Sequence, residues 1–177
     1  MSKVRLATIW LDGCSGCHMS FLDMDERLLE LAALIELVHS PLVDSKDFPD
    51  DVDVVLVEGA VSTEDDLKKI RKVRQRAKVL VSLGDCAVTA NVPSMRNRFP
   101  VAAVEQRAYI ENAQLNQQLP REVIPQLLPK SRPVHEFVKV DVFVPGCPPS
   151  ADTIYFVLTE ILAGRMADLT NKTRFGA

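Results

Sequence analysis

Short apolar runs alternate along this chain with stretches whose apolar positions have helical spacing. The runs cover residues 4–11, 35–39, 52–57, 79–83 and 137–144. Nearly continuous apolar runs of this length predict strands of a parallel sheet that is covered on both faces. The stretches after the first, third and last runs predict helices, with Ser20 and Asp23, Ser62 and Asp65, and Ser150 as caps.

Strands that alternate with helices indicate an α/β fold with right-handed crossovers. We predict a flavodoxin-like, doubly wound parallel sheet with strand order 2-1-3-4-5. The first, third, fourth and fifth strands then lie side by side, and the loops that follow them emerge together at the carboxyl edge of the sheet.

The pattern loosens in residues 87–136, where six prolines interrupt it: Pro93, Pro100, Pro120, Pro125, Pro129 and Pro133. We expect a helix at residues 111–119 and irregular structure in the rest of this stretch. A long irregular segment in a compact domain is usually functional. We therefore expect it to contact a partner protein.

Composition narrows the class of protein. A chain of 177 residues with 47% hydrophobic residues is expected to form a single domain, residues 1–177. The net charge of −3 gives no sign of nucleic-acid binding, and no apolar run approaches the roughly 18 residues that span a membrane. The chain enters its first strand almost at once, without an export signal, so we expect a cytoplasmic protein with reduced thiols.

All four cysteines follow apolar runs: Cys14, Cys17, Cys86 and Cys147. The predicted topology therefore brings their loops, and Glu58 after the third strand, to one edge of the sheet. Four thiols at one place predict a metal site, and an iron–sulfur cluster fits best. The neighbouring glycines let backbone N–H groups approach the cluster sulfurs: Gly13, Gly16, Gly84 and Gly146.

Other kinds of site compete with a cluster. Cys14-Ser-Gly-Cys17-His18 matches the attachment motif of c-type haem, and a C-x-x-C pair after a strand can be a redox dithiol, but both leave Cys86 and Cys147 without a role. A zinc ion held by four cysteines is the third alternative. FMN is unsupported, because Cys14 and Cys17 occupy the loop that would bind its phosphate.

Four motifs in order resemble the small subunit of [NiFe] hydrogenases: G-C-S-G-C after the first strand, V-E-G after the third, G-x-C after the fourth and P-G-C-P-P after the fifth. The similarity covers residues 4–164. It implies one proximal [4Fe–4S] cluster on Cys14, Cys17, Cys86 and Cys147. The resemblance also extends to an iron–sulfur subunit of complex I, a quinone oxidoreductase. That relative has adjacent cysteines in its first motif, whereas Cys14 and Cys17 are spaced.

Among hydrogenases, the chain resembles the short small subunit of the soluble NAD-reducing (bidirectional) type more than the related sulfhydrogenase and F420-type subunits. The resemblance implies an oxidoreductase that acts only as part of a complex. Electrons from H₂ oxidation at a NiFe site on the large partner subunit would pass through the cluster towards an iron–sulfur and flavin diaphorase module.

The sequence also suggests roles for several residues other than the cysteines. Glu58 is a candidate proton relay beside the cluster and the partner's nickel site. His18 is expected to form a hydrogen bond or to contact the partner rather than to bind metal. Asp85 is expected to bond within its own loop, and Trp10 and Phe21 to lie in the core.

Overall fold

The computed structural model describes residues 3–44 and 46–173. In these residues the strands are β1 (Val4–Trp10), β2 (Ile35–His39), β3 (Val52–Glu58), β4 (Val61–Thr63), β5 (Ala77–Leu83), β6 (Leu127–Arg132) and β7 (Val142–Val144). The α-helices are α1 (Gly16–Leu22), α2 (Arg27–Leu34), α3 (Glu64–Arg76), α4 (Asp85–Thr89), α5 (Val101–Gln106) and α6 (Ala151–Leu162). The chain also forms 3₁₀ helices at Val92–Arg98 and Val134–Glu136 and a π-helical turn at Arg107–Glu111.

Five parallel strands form the central sheet in the order β2-β1-β3-β5-β7. β4 and β6 lie outside this sheet, so that β5 and β7 are its fourth and fifth strands along the chain. The predicted order 2-1-3-4-5 is therefore confirmed. The register aligns the carboxyl ends of the strands: Trp10 pairs with Glu58, Glu58 with Leu83, and Leu83 with Val144. The loops after β1, β3, β5 and β7 therefore begin at the same level of one edge.

Both faces of the sheet are covered, as the apolar runs predict. Successive residues of a strand point to opposite faces of the sheet. Leu6 packs in one cluster with Phe21 and Ile154, and Ala7 packs in another with Ile70. Burying each large aliphatic side chain stabilises the fold by about 1.5–3 kcal/mol. The two layers hold the central strands, and hence the edge that they form, in fixed positions.

A second, two-stranded sheet pairs β4 with β6 in antiparallel fashion. The sequence predicts irregular structure where β6 lies, and that expectation is wrong there. Arg96 supports the pairing, because its Nη2 donates to the carbonyl oxygens of Ser62 (3.1 Å) and Leu128 (3.0 Å).

Two other predictions in the second half of the chain are wrong. Residues 111–119 do not form a helix, because the helical segment that begins with α5 ends at Glu111. The last strand, predicted for residues 137–144, is shorter and covers Val142–Val144. Phe137, Val138 and Val140 pack against the core on the side of the sheet that α3 covers and do not extend the strand. These residues are apolar because they pack against the core, and not because they pair in a strand.

Helix boundaries also differ from the expected ones. Ser20 does not cap a helix: it lies inside α1, and its Oγ donates to the carbonyl oxygen of Pro149 at 2.6 Å. The capping box of α3 is Thr63 and Asp66, one residue beyond the predicted pair. Ser150 does cap α6, since its Oγ accepts from the Thr153 N–H at 3.2 Å.

No helix within residues 3–44 and 46–173 combines the length and the hydropathy that crossing a membrane requires.

Candidate metal centre

The four cysteines lie in the three loop regions that the topology brings together. Cys14 precedes α1 and Cys17 lies in its first turn, Cys86 lies in α4 after β5, and Cys147 lies between β7 and α6. All four are free thiols. Cys17 is buried, with 7% of its surface exposed, Cys86 is half-buried, and Cys14 and Cys147 are exposed. The group therefore extends from the core to the surface.

Electrostatics couple the thiols to one another. Burial raises the pKa of Cys17, and the Glu58 carboxylate, Cys86, Cys14 and Cys147 raise it further. Burial also raises the pKa of Cys86 to about 11, although a hydrogen bond from the Val92 backbone N–H acts in the opposite direction. Cys17 and Cys86, whose pKa values are raised, need a nearby cation to become thiolates together. Metal binding supplies that charge and releases the protons.

Gly84 makes room for Cys17. A Cβ at position 84 would lie 2.2 Å from the Sγ of Cys17, and the φ of +82° is one that L side chains rarely adopt. Only glycine fits without displacing the thiol. The glycine is therefore part of the space that surrounds the sulfurs.

Asp85 joins two of the cysteine loops. Its Oδ1 accepts a hydrogen bond from the Gly146 N–H at 2.7 Å, and its own N–H donates to the Gly146 carbonyl oxygen at 2.9 Å. The sequence predicts a bond of Asp85 within its own loop, and these contacts show that its side chain also reaches a second loop. The side chain instead fixes the loop of Cys147 relative to α4, which carries Cys86.

Glu58 lies at the buried side of the site with 1% of its surface exposed. Its Oε2 accepts a hydrogen bond from the His18 backbone N–H at 3.0 Å and forms a second, very short contact with His18 Nδ1. The structure thus places Glu58 at the edge of the sheet where the cysteines lie, and hydrogen-bonds it to His18, the residue that follows Cys17.

A chain of buried polar side chains continues away from Glu58. The Nε2 of His18 lies 3.1 Å from Thr8 Oγ1, and that hydroxyl donates to Ser40 Oγ at 2.9 Å. Ser40 lines a surface cavity of about 210 Å³. Sequence reasoning missed Thr8 and Ser40, because a buried hydroxyl within a strand carries no motif.

Trp10 is not a core residue as expected, since 44% of its surface is exposed. Its Nε1 donates to the carbonyl oxygen of Gly13 at 3.1 Å. The indole braces the loop that leads to Cys14. Phe21 is buried, as expected.

The chemistry of the four side chains limits what the site can hold. Four cysteine thiolates are the ligands of a structural zinc ion and also of a [4Fe–4S] cluster. Within residues 3–44 and 46–173, no three His, Cys, Asp or Glu side chains are already arranged around a single-ion site. The donor set is therefore compatible with a thiolate-bound metal group.

The comparisons with known proteins agree with this arrangement. The family model for "NADH ubiquinone oxidoreductase, 20 Kd subunit" matches residues 14–161. The chain is 42% identical over 172 residues to the delta subunit of the NAD-reducing hydrogenase HoxS of Cupriavidus necator, covering 94% of this chain and 82% of that protein. It is 31% identical over 161 residues to the delta subunit of sulfhydrogenase 2 of Pyrococcus furiosus, of which it spans 63% while 91% of this chain is covered.

A solved structure is similar over almost the whole chain. The crystal structure of an NAD⁺-reducing [NiFe]-hydrogenase in the H₂-reduced state contains a chain that superposes with a TM-score of 0.94 at 37% identity, covering 98% of this chain and 99% of that one. The chain therefore belongs to the family of NADH ubiquinone oxidoreductase 20 Kd subunits, and it is a small subunit of the NAD-reducing [NiFe] hydrogenase type.

Proposed function

We propose that this chain is the electron-transfer subunit of its hydrogenase complex. It carries electrons from H₂ oxidation at a NiFe site on the large partner subunit towards an NAD-reducing module. The observation that carries the proposal is the convergence of four free thiols from three loop regions at one edge of the sheet. The names of its relatives supply the reaction and the acceptor.

Cys14, Cys17, Cys86 and Cys147 would hold one [4Fe–4S] cluster. Such a cluster accepts and releases one electron at a time. The chain's own contribution is to fix its ligands: Asp85 joins the loops of Cys86 and Cys147, and Gly84 leaves room for the Cys17 sulfur. The exposed Cys14 and Cys147 bring the site to the surface, where a partner can dock.

Glu58 is proposed as a proton relay next to the cluster. It is buried, it lies within electrostatic reach of Cys17 and Cys86, and it is hydrogen-bonded to His18. A proton that it takes up as the site gains negative charge lowers the cost of that charge. The carboxylate can return the proton when the electron leaves.

The remaining parts of the reaction belong to partners. With all four cysteines assigned to one cluster, this chain has no thiols left for nickel, so the NiFe site is proposed for the large subunit. An iron–sulfur and flavin diaphorase would receive the electrons. Residues 1–177 are proposed to act as one cytoplasmic domain; residues 1–2, 45 and 174–177 of that range lie outside the described residues.

The second candidate is an iron–sulfur subunit of a quinone oxidoreductase, after the name of the matching family. The spaced Cys14 and Cys17 and the similarity to hydrogenase subunits along almost the whole chain favour the hydrogenase function. A zinc-stapled module would use the same four thiolates, and the similarity to hydrogenase subunits favours the cluster over it.

The proposal is tested by co-expressing this chain with the large subunit and the diaphorase that co-purify with it. The expected result is H₂-dependent reduction of NAD that is abolished by Cys147→Ala, while NADH-dependent dye reduction by the diaphorase continues. H₂-dependent dye reduction by this chain alone, or full NAD reduction by the Cys147→Ala complex, would contradict the proposed division of labour.

A further inference from the structure

The segment that follows α4 turns back towards the cysteines. Ala90 ends the helix in the left-handed conformation, with a φ of +62°. After this turn come Asn91 and the 3₁₀ helix Val92–Arg98, of which Asn91 is the N-cap residue. The sequence gives no motif for this segment, so its relation to the cysteines is a finding of the fold.

Two hydrogen-bond donors of this segment reach two different cysteines. The Nδ2 of Asn91 lies 3.7 Å from the Sγ of Cys147, within the range of an N–H···S hydrogen bond. The backbone N–H of Val92 bonds to Cys86. Adjacent residues therefore donate to sulfurs that belong to separate loops, one through a side chain and one through the backbone.

Negative charge is the main feature of this site once the thiols are ionised. Four thiolates meet there, and the Glu58 carboxylate interacts with Cys17 and Cys86. An arriving electron adds one more negative charge. A donor N–H on a ligand sulfur stabilises the more negative state, because its positive end faces the added charge.

We infer that Asn91 is a positioning residue that raises the reduction potential of the cluster through its hydrogen bond to Cys147. The inference rests on the proposed function, since it presupposes a cluster on the four cysteines. The donor residue adjusts how readily the electron arrives and takes no part in holding the metal. The four cysteines and the Val92 backbone N–H are unchanged in any Asn91 variant, so we expect such a variant to hold the cluster.

The test compares Asn91→Leu and Asn91→Asp with the parent chain, each as the full chain loaded with iron and sulfide without oxygen. Leu has a similar size and lacks the donor, whereas Asp replaces it with a negative charge. We expect all three to hold the same iron and sulfide. The reduction potential, measured by an EPR-monitored redox titration near pH 8, should fall in Asn91→Leu and fall further in Asn91→Asp.

Asn112→Asp is the matched control, because Asn112 is an exposed asparagine at the end of the π-helical turn. Its potential should equal that of the parent. An unshifted potential in both Asn91 variants overturns this inference and leaves the proposed function standing. Loss of iron in both Asn91 variants, with the control loaded normally, also overturns it, because Asn91 would then hold the cluster. A parent chain without a cluster overturns the proposed function itself.

Discussion

The carboxylate of Glu58 contacts both the backbone and the side chain of His18. One oxygen, Oε2, accepts from the His18 N–H at 3.0 Å and contacts the ring at Nδ1. Because His18 directly follows Cys17, the carboxylate both fixes a cysteine-bearing turn and lies beside the thiols. A structural and a proton-transferring role make different predictions for the same residue.

Replacing Glu58 by Gln separates these roles. The amide oxygen of Gln can still accept from the His18 N–H, but the side chain cannot titrate. We expect iron content and complex assembly to be unchanged while H₂ turnover falls by about 10²-fold, the typical effect of a lost acid–base group. Glu58→Asp should recover part of the loss.

Asp66→Asn provides a control for this variant, because Asp66 is also a buried carboxylate but caps α3. It should lower stability by about 1 kcal/mol and leave turnover per assembled complex unchanged. Near-normal turnover of Glu58→Gln would leave Glu58 with the structural role alone.

Gly84→Ala tests the space around the sulfurs. The new Cβ would lie 2.2 Å from Cys17 Sγ, so the thiol must move out of its position. We expect loss of most of the bound iron, measured per folded chain by chemical analysis and circular dichroism.

Gly164→Ala separates this effect from backbone strain. Gly164 also has a positive φ, +71°, but a Cβ there meets nothing within 4 Å. That variant should lose about 1–2 kcal/mol of stability and keep its iron. Equal iron loss in the two variants would show that strain is the cause.

Asp141 links the start of β7 to its neighbours and gives the fold a pH dependence. Burial opposes its ionisation, but the Leu80 N–H and the Arg74 guanidinium hold the pKa of Asp141 below its usual value. A lowered folded-state pKa means stability that is present above the ordinary Asp pKa, about 4, and lost as pH falls through the folded value.

Asp141→Asn should therefore lower the free energy of unfolding by about 1–2 kcal/mol at pH 7, with a smaller difference near pH 3. Urea denaturation at the two pH values measures this. Asp65→Asn is the control, since Asp65 is exposed and its ion pair with Lys68, at 3.5 Å, lies at the surface; its effect should stay within about 0.5 kcal/mol. A constant difference at both pH values would contradict the account.

The sequence predicts the parts of this fold that depend on continuous apolar runs. β1, β3 and β5 are found where Val- and Leu-rich runs predict them, and the parallel order follows from their alternation with helices. The convergence of the three cysteine-bearing loop regions follows in turn, because they begin at the carboxyl ends of the parallel strands β1, β5 and β7.

Features that depend on contacts between distant segments were not predictable. β6 contains Pro129 and Lys130, and it is a strand because β4 offers an edge to pair with. The contacts of Glu58 with His18 and of Asn91 with Cys147 join residues far apart in sequence. The local pattern of apolar and polar residues does not predict which distant residues will be in contact. The capping box of α3 differs from the predicted one by a single residue, since Thr63 competes with Ser62 for the same role.

The content of iron and acid-labile sulfide in anaerobically purified chain shows whether the four cysteines hold a [4Fe–4S] cluster. We expect about four of each per chain, with broad charge-transfer absorption, and loss of both in Cys86→Ala and Cys147→Ala as complete as in Cys14→Ala. One zinc per chain without sulfide, a sharp haem band, or a cluster that survives in the Cys86→Ala and Cys147→Ala variants would contradict it.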